Sequence, residues 1–274
     1  MLKEITLGQY YPGKSILHRL DPRVKLMGTL VFIICLFAFG STSAYLVAGV
    51  TLAIVIALST VPFSHILRSI RMILILMLVT AVFNLLLTPG DPIVKFGIFR
   101  ITDQGVKMAI HMTFRLSFLV MGSSIMTLTT TPNQLTGGLE QGLGWMKRIH
   151  VPVHEIALMM SIALRFIPIL TEEANRIMSA QEARGADFRS GGIIRRAKAL
   201  IPLLVPLFVS AFRRANDLAM AMEARGYHGG EGRTRMKPLV YTKWDYTAYG
   251  LIALFAVIMF LAWRFVRIQS PFLP

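Results

Sequence analysis

A segment free of Asp, Glu, Lys and Arg runs from residue 26 to residue 67 and constrains the fold more than any other feature. A charged side chain at the centre of a bilayer costs several kcal/mol, so membrane-spanning helices largely lack these residues. At roughly 20 residues per span the segment holds two helices, with a predicted turn at Gly40-Ser41-Thr42-Ser43. Asp21 and Pro22 provide an N-cap and a first helical position for the first helix. The segment therefore predicts an integral membrane protein.

Three further apolar segments complete the predicted membrane domain. They cover residues 72–90, about 108–128 and 246–263, and the last is flanked by aromatic residues typical of membrane interfaces: Trp244, Tyr246, Tyr249 and Trp263. The composition agrees, since 54% of the residues are hydrophobic and only 16% are charged, whereas soluble domains carry about a quarter charged residues. The predicted fold class is an all-α integral membrane protein with about five transmembrane helices.

A long region between the fourth and fifth spans, residues 132–243, contains two shorter apolar blocks. Block 156–170 includes Arg165 and Pro168, and block 199–212 includes two prolines. As a helix each block reaches only about 21–23 Å, short of the roughly 30 Å hydrocarbon core. We therefore interpret the region as a domain of long amphipathic helices that lie at the interface or beneath a partner. Seven spans are the alternative, if both blocks enter the membrane.

Basic residues determine the predicted orientation. Lys and Arg number 29 against 14 Asp and Glu, which gives a formal net charge of +15. Most of them fall in the N-terminal segment, in the connection at Arg68 and Arg71, and in the long region. Because positive residues are retained in the cytoplasm, the N-terminus and the long region are predicted to be cytoplasmic and the C-terminus outside. The predicted domains are residues 1–131, 132–243 and 244–274.

The excess of positive charge also has to be weighed against nucleic-acid binding. The basic residues alternate with long apolar helices and are not grouped with aromatic side chains. Single-stranded nucleic-acid sites combine a basic groove with aromatic stacking platforms, so no nucleic-acid partner is predicted. Anionic lipid and an acidic protein partner explain the charge better.

The long region nearly repeats itself at a constant offset of 41 residues. Each copy ends in an Ala-Arg-Gly motif, Ala183-Arg184-Gly185 in the first copy and Ala224-Arg225-Gly226 in the second. Gly fits the position just past a helix end, and Arg in the last turn complements the negative end of the helix dipole. Each motif taken singly is explained by an ordinary helix end. The duplication favours two equivalent binding sites for a two-lobed acidic partner, because small neighbours let another backbone approach the Arg fork.

Other candidate functional residues are few. Arg115 interrupts the fourth span, and an intramembrane charge is by default a functional hypothesis. Asn84 in the third span is its predicted partner, while a structural Arg bonded to a carbonyl or a neighbouring helix is the other interpretation. His150 and His154 have a helical metal-ligand spacing, but Pro152 falls between them, so no metal site is predicted. Without a nucleophile–base pair or a phosphate-binding Gly-rich motif, no catalytic residue and no cofactor are predicted.

Two other classes of protein compete with a scaffold that binds partners. A membrane-embedded enzyme requires clustered titratable groups with perturbed pKa values. An autonomous secondary transporter requires polar groups that converge at mid-membrane and repeats among its spans. The sequence favours neither, because its repeat lies outside the predicted spans and Arg115 stands nearly alone within them.

The sequence resembles the transmembrane coupling component, or T component, of energy-coupling factor (ECF) importers of vitamins and micronutrients. The resemblance extends over nearly the whole chain, and the two Ala-Arg-Gly motifs carry it most specifically. The N-terminal segment is more similar to the shared type, which serves several substrate-binding subunits, than to the dedicated cobalt or nickel type. Further segments that carry the resemblance are residues 7–10, 18–23, 128–132, 151–158 and 163–168.

The resemblance implies a non-catalytic scaffold in the cell membrane of a prokaryote. Its implied partners, besides the lipid bilayer, are two ATP-binding-cassette (ABC) ATPases and a membrane-embedded substrate-binding subunit, the S component. Arg184 and Arg225 would each enter a groove of one ATPase, and the long helices would transmit closure of the ATPase pair to the S component. Methionines and small residues suit the changing helix–helix interface that this requires, and they define a predicted coupling surface: Ala157, Met159, Met160, Ser161, Ala163 and Leu164.

Overall fold

The computed structural model describes residues 10–90, 92–96, 99–186, 188, 192–229 and 238–269. Within these residues the chain forms α-helices joined by short connections, together with one 3-10 helix (Gly144–Ile149) and one β-hairpin. The elements are α1 (Ile16–Arg19), α2 (Pro22–Ala38), α3 (Thr42–Ser59), α4 (Phe63–Leu87), β1 (Pro92–Phe96), β2 (Phe99–Thr102), α5 (Asp103–Thr129), α6 (Pro132–Gly142), α7 (Val153–Ala183), α8 (Ile193–Ala224) and α9 (Lys243–Gln269).

The chain divides into two compact units. Residues 8–138 and 239–274 form the first, which we call the bundle unit, and residues 139–238 form the second, the repeat unit. The bundle unit contains α1–α5 and α9, and the repeat unit contains α7 and α8 with both Ala-Arg-Gly motifs.

Helix boundaries in the bundle unit follow local sequence signals. The Asp21 carboxylate accepts a hydrogen bond from the backbone N–H of Arg23 at 2.9 Å, and Pro22 is the first residue of α2. The predicted turn after α2 is confirmed, because α2 ends at Ala38 and the Ser41 side chain caps α3 by accepting from the N–H of Ala44. Both caps satisfy backbone donors that have no partner inside the helix.

The core of the bundle unit lies among α2, α3, α5 and α9. Leu36, Ala48 and Met259 are at most 1% exposed, and the rings of Phe32 and Phe255 stack with their centroids 5.8 Å apart. Helix α4 packs against α5 but exposes large apolar side chains along most of its length. A soluble domain rarely exposes so much apolar surface, so this face is suited to lipid or to another membrane helix.

Five helices of the described chain are long and apolar enough to cross a membrane, which confirms an α-helical, multi-pass membrane protein. The number agrees with the prediction, but the set of helices differs. Helix α2, assigned to the first predicted span, has only 17 residues and is shorter than the five. Helix α7, assigned to the non-membrane region, is among them. The five are Thr42–Ser59, Phe63–Leu87, Asp103–Thr129, Val153–Ala183 and Lys243–Phe265.

The prediction of long helices in this region is confirmed, and each apolar block is part of one of them. Block 156–170 lies within the 31 residues of α7, and block 199–212 lies within the 32 residues of α8. Pro168, Pro202 and Pro206 are interior residues of these helices. A proline removes one backbone donor, and the surrounding hydrogen bonds continue the helix past it. At 1.5 Å per residue, α7 and α8 are about 46–48 Å long.

A two-stranded hairpin joins α4 to α5 and was not predicted from the sequence. β1 and β2 pair antiparallel, and Thr102 at the end of β2 begins α5 by accepting a hydrogen bond from the N–H of Gly105 at 3.0 Å. The Thr102 hydroxyl also donates to the carbonyl of Thr88 at 2.9 Å, which ties the base of the hairpin to the end of α4. The hairpin is a small addition to an otherwise helical fold.

Candidate functional site at the paired helix ends

The two Ala-Arg-Gly motifs end the two longest helices of the chain. α7 ends at Ala183 and α8 ends at Ala224, with Arg184 and Arg225 as the C-cap residues. The glycines that follow, Gly185 and Gly226, have φ angles of 87° and 71°. This left-handed conformation is strained for residues that carry a Cβ, so the expectation that glycine terminates both helices is confirmed.

Matching hydrogen bonds close both helix ends. The N–H of Gly185 donates to the carbonyl of Glu182 at 3.0 Å, and the N–H of Ala186 donates to the carbonyl of Gln181 at 2.9 Å. In α8 the corresponding bonds run from Gly226 to Glu223 at 2.9 Å and from Tyr227 to Met222 at 3.0 Å. These are two Schellman motifs with the same register. The sequence repeat is therefore also a repeat of backbone geometry.

The six motif residues are all exposed, and within the described residues neither Arg guanidinium forms an ion pair. Each guanidinium is a planar fork of N–H donors that stays charged at any physiological pH and matches a carboxylate in two parallel hydrogen bonds. The structure thus presents two equivalent, unpaired cationic forks at helix ends. An acidic groove on another protein would satisfy them. The residues concerned are Ala183, Arg184, Gly185, Ala224, Arg225 and Gly226.

Helices α7 and α8 pack against each other within the repeat unit, and Glu173 and Arg214 mark this contact. Nη2 of Arg214 lies 3.9 Å from Oε2 of Glu173. Arg184 follows Glu173 by eleven residues, and Arg225 follows Arg214 by eleven residues. Each motif therefore lies about 16 Å beyond the contact along its own helix. We call the part of each helix from this contact to its motif an arm, and the two arms have equal length.

An apolar groove of about 350 Å3 between α7 and α8 shows in which direction the arms point. Its α7 residues precede Glu173, whereas its α8 residues extend beyond Arg214. Because early α7 residues accompany late α8 residues, the helices pass each other in opposite directions. The two motifs consequently lie on opposite sides of the contact, at most about 33 Å apart. Groove residues include Ile162, Phe166, Leu170, Leu218, Ala219 and Met222.

The predicted coupling surface is only partly available. Met159 and Met160 are 60% and 40% exposed, and Ser161 and Ala163 are exposed beside them. Leu164 is half-buried, and Ala157 is only 4% exposed, so Ala157 does not contribute contact area. The Ser161 hydroxyl donates to the Ala157 carbonyl at 2.8 Å and is thereby satisfied within α7.

Helix α8 adds a larger apolar face, which was not among the residues predicted from the sequence. Large side chains at seven positions between 200 and 212 are 43–68% exposed. Such a contiguous face on a soluble monomer marks an interaction site, and here it suits lipid or a membrane-embedded protein. The residues are Leu200, Ile201, Leu204, Val205, Phe208, Val209 and Phe212.

Arg115 does not pair with Asn84, so this predicted pair is wrong. Nε of Arg115 donates to the Tyr45 hydroxyl of α3 at 2.9 Å, and its guanidinium lies 5.5 Å from the centroid of the Phe37 ring. Asn84 donates to the carbonyl of Thr80 on its own helix at 2.8 Å. The contact with Tyr45 agrees with the other interpretation of Arg115, a structural cation bonded to a neighbouring helix.

A buried polar cluster in the bundle unit joins the start of α2 to the start of α9. Asp245 is 1% exposed and accepts from the N–H of Asp21 at 2.8 Å and from the N–H and hydroxyl of Thr242, each at 2.7 Å. Arg23 pairs with Asp21 at 2.8 Å and stacks 3.7 Å from the centroid of the Tyr241 ring. Only proximity in the fold reveals this cluster, because its members are separated by over 200 residues in the chain.

Lys25 connects two of the segments that carried the family resemblance. Its side chain is buried, and Nζ donates to the carbonyl of Thr129 at 2.9 Å and to the carbonyl of His18 at 3.4 Å. The N–H of Tyr11 donates to the carbonyl of Leu128 at 2.9 Å. The N-terminal segment and the end of α5 thus form one hydrogen-bonded assembly within the bundle unit.

His150 and His154 do not share a helix. His150 has a φ of 60° and precedes α7, whereas His154 lies in its first turn. Nδ1 of His154 and the Glu140 carboxylate are 2.9 Å apart. The described residues contain no group of three or more His, Cys, Asp or Glu side chains that is arranged to hold a metal ion.

Comparison with known proteins gives a consistent result. Residues 13–236 match the sequence model of a family described as CbiQ, cobalt transport protein. The chain is 48% identical over 267 residues to the energy-coupling factor transporter transmembrane protein EcfT of Acidaminococcus fermentans, covering 96% of this chain and 98% of that protein. EcfT of Heliobacterium modesticaldum is 52% identical over 90% of this chain and 92% of its own length. EcfT of Bacillus subtilis is 45% identical over 95% and 99%, respectively.

These matches span nearly the full length of both the chain and its relatives, and they include both Ala-Arg-Gly motifs within the family match. They agree with the apolar helices and with the resemblance inferred from the sequence. The chain therefore belongs to the EcfT family: it is a multi-pass transmembrane T component of an energy-coupling factor transporter.

Proposed function

We propose that the chain holds two ABC-type ATPase subunits through its paired Ala-Arg-Gly helix ends and couples them to a membrane-embedded S component. The observation that carries this proposal is the matched geometry of Arg184 and Arg225. Both are exposed and form no ion pair among the described residues. Each is the C-cap residue of a helix that ends in a Schellman motif with the same register. Two ATPase subunits of similar shape require two equivalent binding sites, whereas a single partner subunit requires only one.

The separation of the motifs supports a pair of partners. Each Arg lies about 16 Å from the contact of Glu173 with Arg214, on opposite sides of it. Two globular ATPase subunits are therefore reached at the same time, one by each helix end. Movement of the two subunits relative to each other pulls on both arms and is transmitted to the contact between α7 and α8.

ATP hydrolysis is assigned to the partner subunits in this proposal. The chain contributes Arg forks, which bind carboxylates but neither abstract protons nor act as nucleophiles at neutral pH. The work of the chain is mechanical: it converts closure of the ATPase pair into displacement of helices that contact the S component. Ala183, Gly185, Ala224 and Gly226 let the ATPase backbone approach each fork closely.

The S component is proposed to contact the exposed methionines of α7 and the apolar face of α8. Met159 and Met160 are exposed, and methionine adapts to differently shaped partners. This adaptability agrees with a T component shared among several S components for different vitamins or micronutrients. Ser161 and Ala163 allow close helix–helix approach at the same surface.

The proposed topology places both motifs in the cytoplasm, together with the N-terminus, and the C-terminus outside the cell membrane. The support is the concentration of Lys and Arg in the N-terminal segment and in residues 132–243. ABC-type ATPases work in the cytoplasm, so both Arg forks have to be on that side. The test is a set of single cysteines at the termini, probed with a membrane-impermeant reagent in intact cells.

Co-purification tests the proposal. The chain is expressed with its native ATPase and S-component subunits, extracted in mild detergent and purified on its own affinity tag. We expect both ATPases to be recovered with the unaltered chain and neither with the double variant Arg184→Glu/Arg225→Glu, because like charges then face an acidic groove.

The matched control is Arg148→Glu/Lys198→Glu, which reverses two exposed cations of the repeat unit outside the motifs. This control is expected to retain the ATPases and substrate uptake. Recovery of both ATPases with Arg184→Glu/Arg225→Glu would remove the motifs from the mechanism. Loss of ATPases in the control would show that overall charge, and not the motifs, holds the complex.

A further inference from the structure

The two copies of the repeat carry opposite charges just before their shared Ala-Asn pair. Segment 172–176 reads Glu-Glu-Ala-Asn-Arg, and segment 213–217 reads Arg-Arg-Ala-Asn-Asp. Every charged position of the first copy has the opposite sign in the second, while the two central residues are identical. If the repeats served only to form two similar helix ends, nothing would require the charges to be opposite in sign.

The fold brings the two charge-exchanged segments together. Oε2 of Glu173 accepts a hydrogen bond from Nη2 of Arg176 at 2.6 Å and lies 3.9 Å from Nη2 of Arg214 on the other helix. The Glu173 side chain is only 19% exposed. Nε of Arg214 is buried and has no hydrogen-bond partner within the described residues. Glu173 and Arg214 are equivalent positions of the repeat, so the copies meet at their own matching point.

The apolar part of this contact does not fix its register alone. Helix surfaces repeat their ridges and grooves every turn, so two apolar helices have several packings of similar energy, one turn apart. An open groove of about 350 Å3 lies beside the contact, so on that side α7 and α8 leave apolar side chains uncovered. A slip of one turn moves one helix by about 5.4 Å along the other.

The charged pair of Glu173 and Arg214 favours one of these packings over the others. In the observed register Glu173 faces Arg214, and a slip by one turn withdraws that carboxylate from a guanidinium whose Nε is already buried. The Glu173 side chain is 19% exposed and that of Arg214 is 39% exposed, so water screens this attraction only in part and a slip of one turn loses it. The registry role of buried charged groups is known from coiled coils, where they select one alignment among several.

We propose that segments 172–176 and 213–217 form a charge clasp that fixes the register at which α7 and α8 pass, with Glu173 and Arg214 as its positioning residues. The clasp keeps the two arms equal in length. Its consequence for transport rests on the proposed function: equal arms deliver the motion of both ATPases to the same point between the helices.

The test is a distance measurement on the full chain in lipid nanodiscs, without ATPases. Spin labels are placed on Glu182→Cys and Glu223→Cys, which are exposed, equivalent in the repeat and outside the motifs. Cys35 is the sole native cysteine of the chain and is buried, so it is expected to stay unlabelled, and the chain without added cysteines checks this. Double electron–electron resonance then gives the distribution of distances between the arms.

Three charge-exchange variants are compared with the unaltered chain. The first-copy exchange is Glu172→Arg/Glu173→Arg/Arg176→Asp, the second-copy exchange is Arg213→Glu/Arg214→Glu/Asp217→Arg, and the third combines both. Each single exchange is expected to broaden the distribution or to shift its mean by about 5 Å, the length of one helical turn. The combined exchange is expected to restore the original distribution, since opposite charges face each other again.

Restoration is the readout that a merely structural role does not produce. A single exchange that keeps the original distribution, or a combined exchange that fails to restore it, would overturn the proposal. If a single exchange prevents folding, Glu173→Gln is used in its place and is expected to broaden the distribution in a folded chain. Because no ATPase is present, these outcomes do not depend on whether the Arg motifs bind ATPases, which co-purification tests separately.

Discussion

Nε of Arg115 donates a hydrogen bond to the Tyr45 hydroxyl over 2.9 Å, joining α5 to the first turn of α3. The ring of His111 lies beside that of Tyr45, with centroids 5.3 Å apart, and His111 Nε2 is 3.1 Å from the hydroxyl oxygen of Thr42. Tyr45 and Thr42 lie in the first turn of α3. Arg115 is therefore level with the α2–α3 connection and not with the middle turns of α3. Arg115 thus links two helices of the bundle unit, α3 and α5.

Replacing Tyr45 by Phe is expected to destabilise the bundle unit, because it removes the acceptor of Arg115 and leaves a charged donor without its partner. We expect the free energy of unfolding to fall by about 1–3 kcal/mol. Thermal unfolding of the purified chain in detergent measures the change. Asn84→Leu is the comparison, since within the described residues the Asn84 side chain hydrogen-bonds only to Thr80 of its own helix, and it should shift the midpoint little. Equal effects of the two variants would contradict the observed pairing.

The glycines of the two motifs are expected to be replaceable only by residues that tolerate a left-handed conformation. Apart from Gly226 and its two neighbours, no atom of the described residues lies within 4 Å of a Cβ built on Gly226, so among them a substitution there is opposed by backbone strain. We expect Gly226→Val to weaken ATPase binding by misdirecting Arg225, and Gly226→Asn to retain most of it, because Asn enters this conformation more readily. Binding of the ATPase pair to each variant in nanodiscs gives the ratio. Identical binding of both variants would show that the helix end does not position Arg225.

Lysine is not expected to replace arginine in the motifs. Lys keeps the positive charge but loses the planar fork that matches a carboxylate in two hydrogen bonds. For Arg184→Lys/Arg225→Lys we expect an affinity for the ATPase pair about tenfold lower per site, or about 1.4 kcal/mol each. Titration at two salt concentrations separates charge from geometry, since screening affects both cations alike. Wild-type affinity in the Lys variant would reduce the motifs to simple point charges.

Asp245 is expected to be the most sensitive residue of the polar cluster in the bundle unit. Asp245→Ala leaves the N–H of Asp21 buried without an acceptor, which costs about 1–3 kcal/mol. The thermal midpoint of the purified chain should fall accordingly. Thr247→Ala lies two residues further along α9, is exposed, and serves as the control with a change within about 0.5 kcal/mol. A control as destabilised as Asp245→Ala would remove the specific role of the carboxylate.

Local signals in the sequence were sufficient for much of the fold. Asp21 with Pro22 begins α2, the turn after Ala38 separates two helices, and both Ala-Arg-Gly motifs end their helices as expected. Each of these features depends on neighbours within a few residues, where capping chemistry decides the conformation.

The features that were missed depend on residues distant in the chain. Tyr45 and Arg115 are 70 residues apart, and Glu173 meets Arg214 across two helices. Pro168, Pro202 and Pro206 lie inside α7 and α8, and each helix continues on either side of the missing donor. No local signal distinguishes a helix end from a tolerated proline when the surroundings are apolar throughout.

The binding affinity of the ATPase pair for single-motif variants tests the central claim most directly. The unaltered chain, Arg184→Glu, Arg225→Glu and the double variant are reconstituted in nanodiscs and titrated with the purified ATPases. Two equivalent sites predict that each single variant weakens binding markedly and that the double variant abolishes it, because two linked contacts strengthen each other. Wild-type affinity in either single variant would contradict the account, since one helix end would then carry no part of the attachment.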